Sequence, residues 1–196
     1  GVKIWRDDFT YRKGELKGNI YMLVGEKEDS KTVFSCHTDT VHRTGVLQNV
    51  LICPKDLVFR TDSGQCLGAD DGSGIWLMWE LIKARVKGLY VFHRAEEVGG
   101  QGSAYMAESL GFFKDGHYDK CIAFDRKADK SIITHQACAR SCSDEFAEDL
   151  GKKLGMGHKT DNTGSFTDSA SYTDYIAECT NMSVGYYGAH SARETQ

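Results

Sequence analysis

The sequence predicts an α/β fold, a single three-layer domain in which a mixed, mostly parallel central sheet is flanked by helices. Short apolar runs of strand length recur along the chain, among them Val33-Phe34-Ser35-Cys36, Leu89-Tyr90-Val91-Phe92 and Cys121-Ile122-Ala123-Phe124. Runs that are apolar throughout suit strands covered on both faces, as in parallel sheets, and between them lie stretches of helical period. Acid or imidazole follows each run at once: His37-Thr38-Asp39, Glu96-Glu97 and Asp125, with Met182-Ser183-Val184-Gly185-Tyr186-Tyr187 leading likewise to His190. Sites in such sheets gather beyond the carboxyl ends of the strands, so the pattern predicts one site at one sheet edge.

Taken in order, residues 1–17 alternate charges with Trp5, Phe9, Tyr11 and Leu16 and read as a lead-in or an edge strand. Gly18-Asn19 makes a turn, residues 20–24 a strand, the charged stretch 26–31 a hairpin loop, and residues 32–36 the strand that delivers His37. Residues 49–53 and 57–60 form a hairpin around the only proline, Pro54. Apolar residues at 75, 78, 79, 82 and 86 predict a helix over 73–87; Trp76, Leu77 and Leu81 widen its face, so it is expected to be largely buried, with Gly88 as its stop. A glycine-rich entry, Gly68-Ala69-Asp70-Asp71-Gly72-Ser73-Gly74, puts two carboxylates at that helix's N-terminus, where the dipole and free N–H groups favour negative charge. Residues 89–93 are a central strand. A helix over 101–110 is expected to turn Tyr105, Met106 and Leu110 inward. A short strand over 131–134, a helix over 144–154 ended by Gly155 and Gly157, a polar loop over 164–169, a weakly helical stretch over 170–178 and a last strand toward His190 complete the chain.

With 196 residues, 24 basic and 28 acidic, the chain fits one domain over 1–196 and carries a net charge of −4, which offers no nucleic-acid surface. No apolar stretch reaches bilayer-spanning length, since Lys83 and Arg85 interrupt the longest, and no membrane partner is expected. Seven scattered cysteines without a C-x-x-C pair point to reduced thiols and a cytoplasmic setting rather than a disulfide framework. Cys36, Cys53 and Cys121 read as small core residues, and His135, Cys138 and Cys142 are too few and poorly spaced for a zinc site of their own.

Gathered at one edge, His37, Asp39, Asp70, Asp71, Glu96, Glu97, Asp125 and His190 need a counter-ion, because two like charges about 4 Å apart repel by about 4 kcal/mol at an effective dielectric near 20. Carboxylate and imidazole without thiolate suit Zn2+, with Co2+ or Mn2+ as substitutes. The ligand count favours two ions: with Asp70, Glu97 and Asp125 as anions and one hydroxide shared between the metals, the centre is neutral. Asp39, two residues beyond His37, is placed to accept the other imidazole N–H and fix the tautomer. Glu96, beside Glu97, is free to act as general base.

His37-Thr38-Asp39-Thr40-Val41, Gly68-Ala69-Asp70-Asp71-Gly72-Ser73-Gly74, Glu96-Glu97-Val98-Gly99, Phe124-Asp125-Arg126 and Gly188-Ala189-His190 resemble, in order, the five motifs of the co-catalytic di-zinc peptidases, which include aminopeptidases, tripeptidase-like enzymes and zinc carboxypeptidases. The resemblance implies Asp70 as the bridging ligand, His37 and Asp125 completing one metal, Glu97 and His190 the other, Glu96 as general base, Asp39 orienting His37, and a cis peptide after Asp70. It implies hydrolysis of short peptides from the amino end. Amide deacylation, acting on an N-acyl amino acid, and carboxypeptidase-type cleavage use the same chemistry and are the alternatives, beside a noncatalytic zinc-binding relative. His42 stands where many relatives carry proline, and the stretch from Asp125 to His190 is too short for an inserted lid or dimerisation domain. Both ends are shorter than is usual in the group. His93 reads as a hydrogen-bonded structural histidine or a site residue, and Thr167, Asp168 and Ser169 as a plain loop or a substrate contact. Tyr186, Tyr187 and Trp79 are expected in the core, with a place in the pocket as the alternative.

Overall fold

The computed structural model describes residues 1–12, 18–45 and 47–196; Leu16 of the lead-in lies outside the described residues. In chain order come β1 (Val2–Arg6), β2 (Ile20–Val24), a 3-10 turn (Lys27–Asp29), β3 (Thr32–His37), β4 (Val50–Ile52), β5 (Phe59–Thr61), α1 (Ala69–Lys83) and β6 (Gly88–His93). There follow α2 (Gln101–Ala104) with a π-helical turn (Tyr105–Ser109), β7 (Lys120–Arg126), β8 (Ser131–Ile133), β9 (His135–Gln136), β10 (Ala139–Arg140), α3 (Asp144–Leu154), β11 (Lys159–Asp161), a 3-10 turn (Asp168–Tyr172) and β12 (Glu178–Ser183).

Eight strands form one mixed sheet in the order β1-β2-β6-β3-β7-β12-β8-β11. Its middle is parallel: β6, β3, β7 and β12 run the same way, so their carboxyl ends share one edge. The apolar runs explain this centre, since β6 is buried at every residue and β3 at all but its first. Even-numbered side chains such as Phe34, Tyr90, Phe92, Ile122 and Phe124 pack with Met78 and Ile82 of α1 on one face. Odd-numbered Val33, Leu89, Val91 and Cys121 pack with Met106, Phe113 and Tyr172 on the other. This is the predicted three-layer architecture. No helix among the described residues is long and apolar enough to cross a membrane.

Local signals gave α3 its predicted bounds. The Ser143 Oγ accepts the Phe146 N–H at 3.1 Å, Asp144 and Glu145 sit in the first turn, Lys152 and Lys153 in the last, and Gly155 at φ 65° ends it. Several elements differ from expectation. Residues 26–31 are a crossover and not a hairpin loop, because β6, apolar on both faces, takes the place between β2 and β3. The α1 stop is Arg85 at φ 60° rather than Gly88, which opens β6; a Cβ there would lie 2.9 Å from the Phe34 ring. Trp76 and Trp79 are 64% and 50% exposed, so α1 is not buried all round. It approaches the sheet so closely that a Cβ on Gly74 would fall 2.2 Å from the Phe124 carbonyl; beyond its first turn Gly74, Met78 and Ile82 are buried, with Ile75, Leu77 and Leu81 partly so beside them.

The helix predicted over 101–110 changes to π geometry at Tyr105, which buries Met106 but leaves Leu110 43% exposed. Tyr187 is 50% exposed, whereas Tyr186 is buried as expected. The last strand begins at Glu178, earlier than its apolar signal, because buried Thr180 and Asn181 find partners inside: Thr180 Oγ1 donates to the Ile133 carbonyl and Asn181 Oδ1 accepts the Asp125 N–H.

Candidate metal centre

Four parallel strand ends and the start of α1 build the site. His37 ends β3, Asp125 is the penultimate residue of β7, Glu96 and Glu97 follow β6, and His190 lies in the turn beyond β12. Asp70 sits where α1 has not yet become regular: its φ/ψ and those of Asp71 are non-helical, and the peptide between them is cis, as the resemblance implies. The Asp70 Oδ1 lies 3.0 Å from His37 Nε2, and its Oδ2 lies 3.2 Å from His190 Nε2. Asp125 Oδ1 is 3.6 Å from the same His37 nitrogen, and Glu97 Oε2 is 3.0 Å from the same His190 nitrogen. Two donor sets result, His37-Asp70-Asp125 and Asp70-Glu97-His190, each with its ligand atoms within 4.8 Å of one another and with Asp70 common to both. All five side chains singled out as ligands therefore meet.

Around them a second group fixes their positions. His37 Nδ1 lies 2.9 Å from the backbone carbonyl of Asp39 and 3.7 Å from its carboxylate. That carboxylate instead accepts the backbone N–H groups of Glu96 and Glu97, at 3.1 Å each. Asp39 thus steers the glutamate pair by its side chain and the imidazole by its main chain, a division its spacing from His37 did not disclose. Asp71 turns away from the donors and accepts the N–H groups of His37 and Gly74. Thr167 Oγ1 donates to Asp125 Oδ2 at 2.5 Å, and Tyr186 Oη donates to Asp125 Oδ1 at 3.2 Å. Buried Glu194 accepts the N–H groups of Gly68 and Asp70 at 2.9 and 2.8 Å. Glu194 carried no local signal. Thr167, read as a loop residue or substrate contact, and Tyr186, read as a core or pocket residue, gave no sign of holding Asp125, because that partner lies dozens of residues away.

The electrostatics test whether this set fits a cation. Burial, with Asp125 and Asp168 nearby, pushes the Glu96 carboxyl up to about 9, and burial next to Asp70 pushes Glu97 up to about 7. Burial opposes charge on the His37 ring, yet the surrounding carboxylates of Asp125, Asp39 and Asp70 outweigh it and hold its pKa well above the usual imidazole value. Glu97 Oε1 is buried with no partner. An acid-rich pocket that drives its own carboxyls toward protonation, with a buried carboxylate oxygen left unpartnered, is what a divalent cation neutralises. The residues present fit the group.

His93 does not join the donors. It is fully buried and its Nε2 meets the Tyr172 hydroxyl at 2.9 Å, while burial lowers its pKa to about 3. Asp168 is buried beneath the site with neither carboxylate oxygen partnered, and burial pushes it up to about 8. A cavity of about 290 Å³ opens directly beside Asp70, Asp125 and His190 and is walled further by Arg126, Lys127 and Phe166. A larger apolar cavity of about 540 Å³ lies along the outer side of α1 against Phe59 and Trp76, away from the donors; the smaller one adjoins the chemistry.

The sequence model of peptidase family M28 matches residues 19–182. No curated protein matches the chain. Among solved structures, aminopeptidase PepT from Bacillus cereus is similar with a TM-score of 0.78 and 15% identity, over 99% of this chain and 83% of that one. A tripeptidase from Staphylococcus aureus gives 0.73 and 14%, over 100% and 84%. A zinc aminopeptidase from Bacillus subtilis gives 0.56 and 16%, over 90% and 44%. At such identities the likeness is one of fold.

Proposed function

We propose that this chain, which belongs to peptidase family M28, is a zinc-dependent aminopeptidase that holds two ions and hydrolyses short peptides from the amino end. One observation carries the reading: the two oxygens of Asp70 face two imidazoles, each of which has a further carboxylate beside it. His37, Asp70 and Asp125 would hold one zinc, and Asp70, Glu97 and His190 the other. Zinc at these positions supplies Lewis acidity to the scissile carbonyl and lowers the pKa of water. The similarity to an aminopeptidase and a tripeptidase supports the choice of substrate. All seven cysteines are free, which supports a reducing, cytoplasmic compartment.

The chain's own residues do the proton work. Glu96 takes the proton of the attacking water as the new C–O bond forms, then gives it to the amine as the C–N bond breaks. Its backbone N–H is held by the Asp39 carboxylate, which anchors the main chain from which it reaches the site. Thr167 and Tyr186 hold Asp125 against rotation.

The test is a peptide-library digest with zinc-loaded protein, reading which end shortens, beside Glu96→Gln. Loss of residues from the amino end is expected. Glu96→Gln is expected to lose about 10²–10⁴-fold in turnover while keeping its metal. Shortening from the carboxyl end, or unchanged turnover in Glu96→Gln, would overturn the reading.

A further inference from the structure

Resting on that reading, the walls of the cavity beside the donors say what enters it. Arg126 is held flat: its Nη2 donates to the carbonyl and hydroxyl of Thr163 at 3.2 and 3.0 Å and lies 3.6 Å from Asp161 Oδ2, leaving the side chain 15% exposed. Its Nε and Nη1 make no hydrogen bond among the described residues. Lys127, next along the chain, is exposed and lines the same cavity, and its ammonium has no partner among the described residues. The acids that line the cavity, Asp70 and Asp125, belong to the donor set, and Asp125 is further taken up by Thr167 and Tyr186. Asp161 offsets part of the Arg126 charge, and Lys127 forms no ion pair among the described residues.

We propose that this pocket receives a carboxylate of the substrate, held by the free N–H groups of Arg126 and by Lys127. A guanidinium already fixed by Thr163 and Asp161 presents donors without losing further side-chain freedom, and a charge-assisted pair with carboxylate is its strongest use. An aliphatic side chain would instead strip water from two cations and return nothing. The carboxylate has two possible sources: the acidic side chain of the amino-terminal residue, or the terminal carboxylate of a peptide short enough to reach the pocket.

Paired probes separate these sources on the zinc-loaded full chain. Glutamyl- against glutaminyl-p-nitroanilide varies only the side chain, and Leu-Gly-Gly against its amide varies only the terminus. At least a tenfold preference in kcat/KM for the carboxylate member of one pair is expected, falling toward unity in Lys127→Glu and Arg126→Met. Lys127 is exposed, so its variant decides the matter should Arg126→Met fail to fold. Calorimetry with L-glutamate against L-glutamine, and glycylglycine against its amide, reads the pocket without turnover. A binding preference with no hydrolysis of any probe would sustain the pocket and overturn the peptidase reading. No preference in either pair, by rate or by binding, or a preference that both variants keep, overturns the inference.

Discussion

Asp39 shows how much one side chain settles. Its two oxygens receive the N–H groups of Glu96 and Glu97, so it fixes the glutamate expected to move protons and the glutamate expected to hold metal. Asp39→Ala removes both acceptors, and a loss of about 10–100-fold in metal affinity or activity is expected, read by chelator competition and by kcat. The thiols offer a different measurement. Cys138 is exposed and Cys36, Cys66, Cys121, Cys142 and Cys179 are buried, so a maleimide is expected to label Cys138 first, with the buried five protected until unfolding. Burial, with Glu178 nearby, pushes the Cys142 thiol up to about 12. The folded state thus keeps a proton that the unfolded chain gives up near the ordinary thiol value of about 8.5. The stability contribution is complete below that value and is lost as pH rises toward 12, so Tm is expected to fall across the alkaline range, less steeply in Cys142→Ala. Residues with chemistry of their own at telling positions, such as His37, Asp70 and His190, were legible in the sequence. Tyr186 and Glu194 were not, since what they do depends on backbone groups brought to them by distant chain.

Helix α1 separates what local pattern reveals from what packing decides. Its apolar spacing was readable, but both tryptophans point outward because the close approach at Gly74 sets Gly74, Met78 and Ile82 against the sheet, and Trp76 and Trp79 lie off that line. Met78→Ala, at a fully buried site, is expected to cost about 2–5 kcal/mol in urea unfolding. Trp76→Ala on the exposed side is expected to cost within about 0.5 kcal/mol. Element bounds set by caps, as in α3, could be read from sequence. Strand neighbours could not: a charged crossover and a charged hairpin loop look alike until β6 takes its place between β2 and β3.

At the scale of the whole molecule, the sheet is built on two apolar layers that owe nothing to metal, while the acids at its edge repel one another. Chelation is therefore expected to lower Tm and leave far-ultraviolet dichroism unchanged, with zinc restoring the loss; at an ion concentration of about 100 Kd the stabilisation is about 2.7 kcal/mol per site. Fold class was legible because it follows from where apolar runs lie; the division of labour at the edge was not, because it follows from how they meet. The bond from Asp70 N–H to Glu194 spans 124 positions of sequence. During synthesis, a chain whose stretch from His190 to Glu194 is still inside the ribosome has one imidazole missing and the Asp70 N–H without that acceptor, so under the proposed reading cutting waits for that stretch to emerge and fold back.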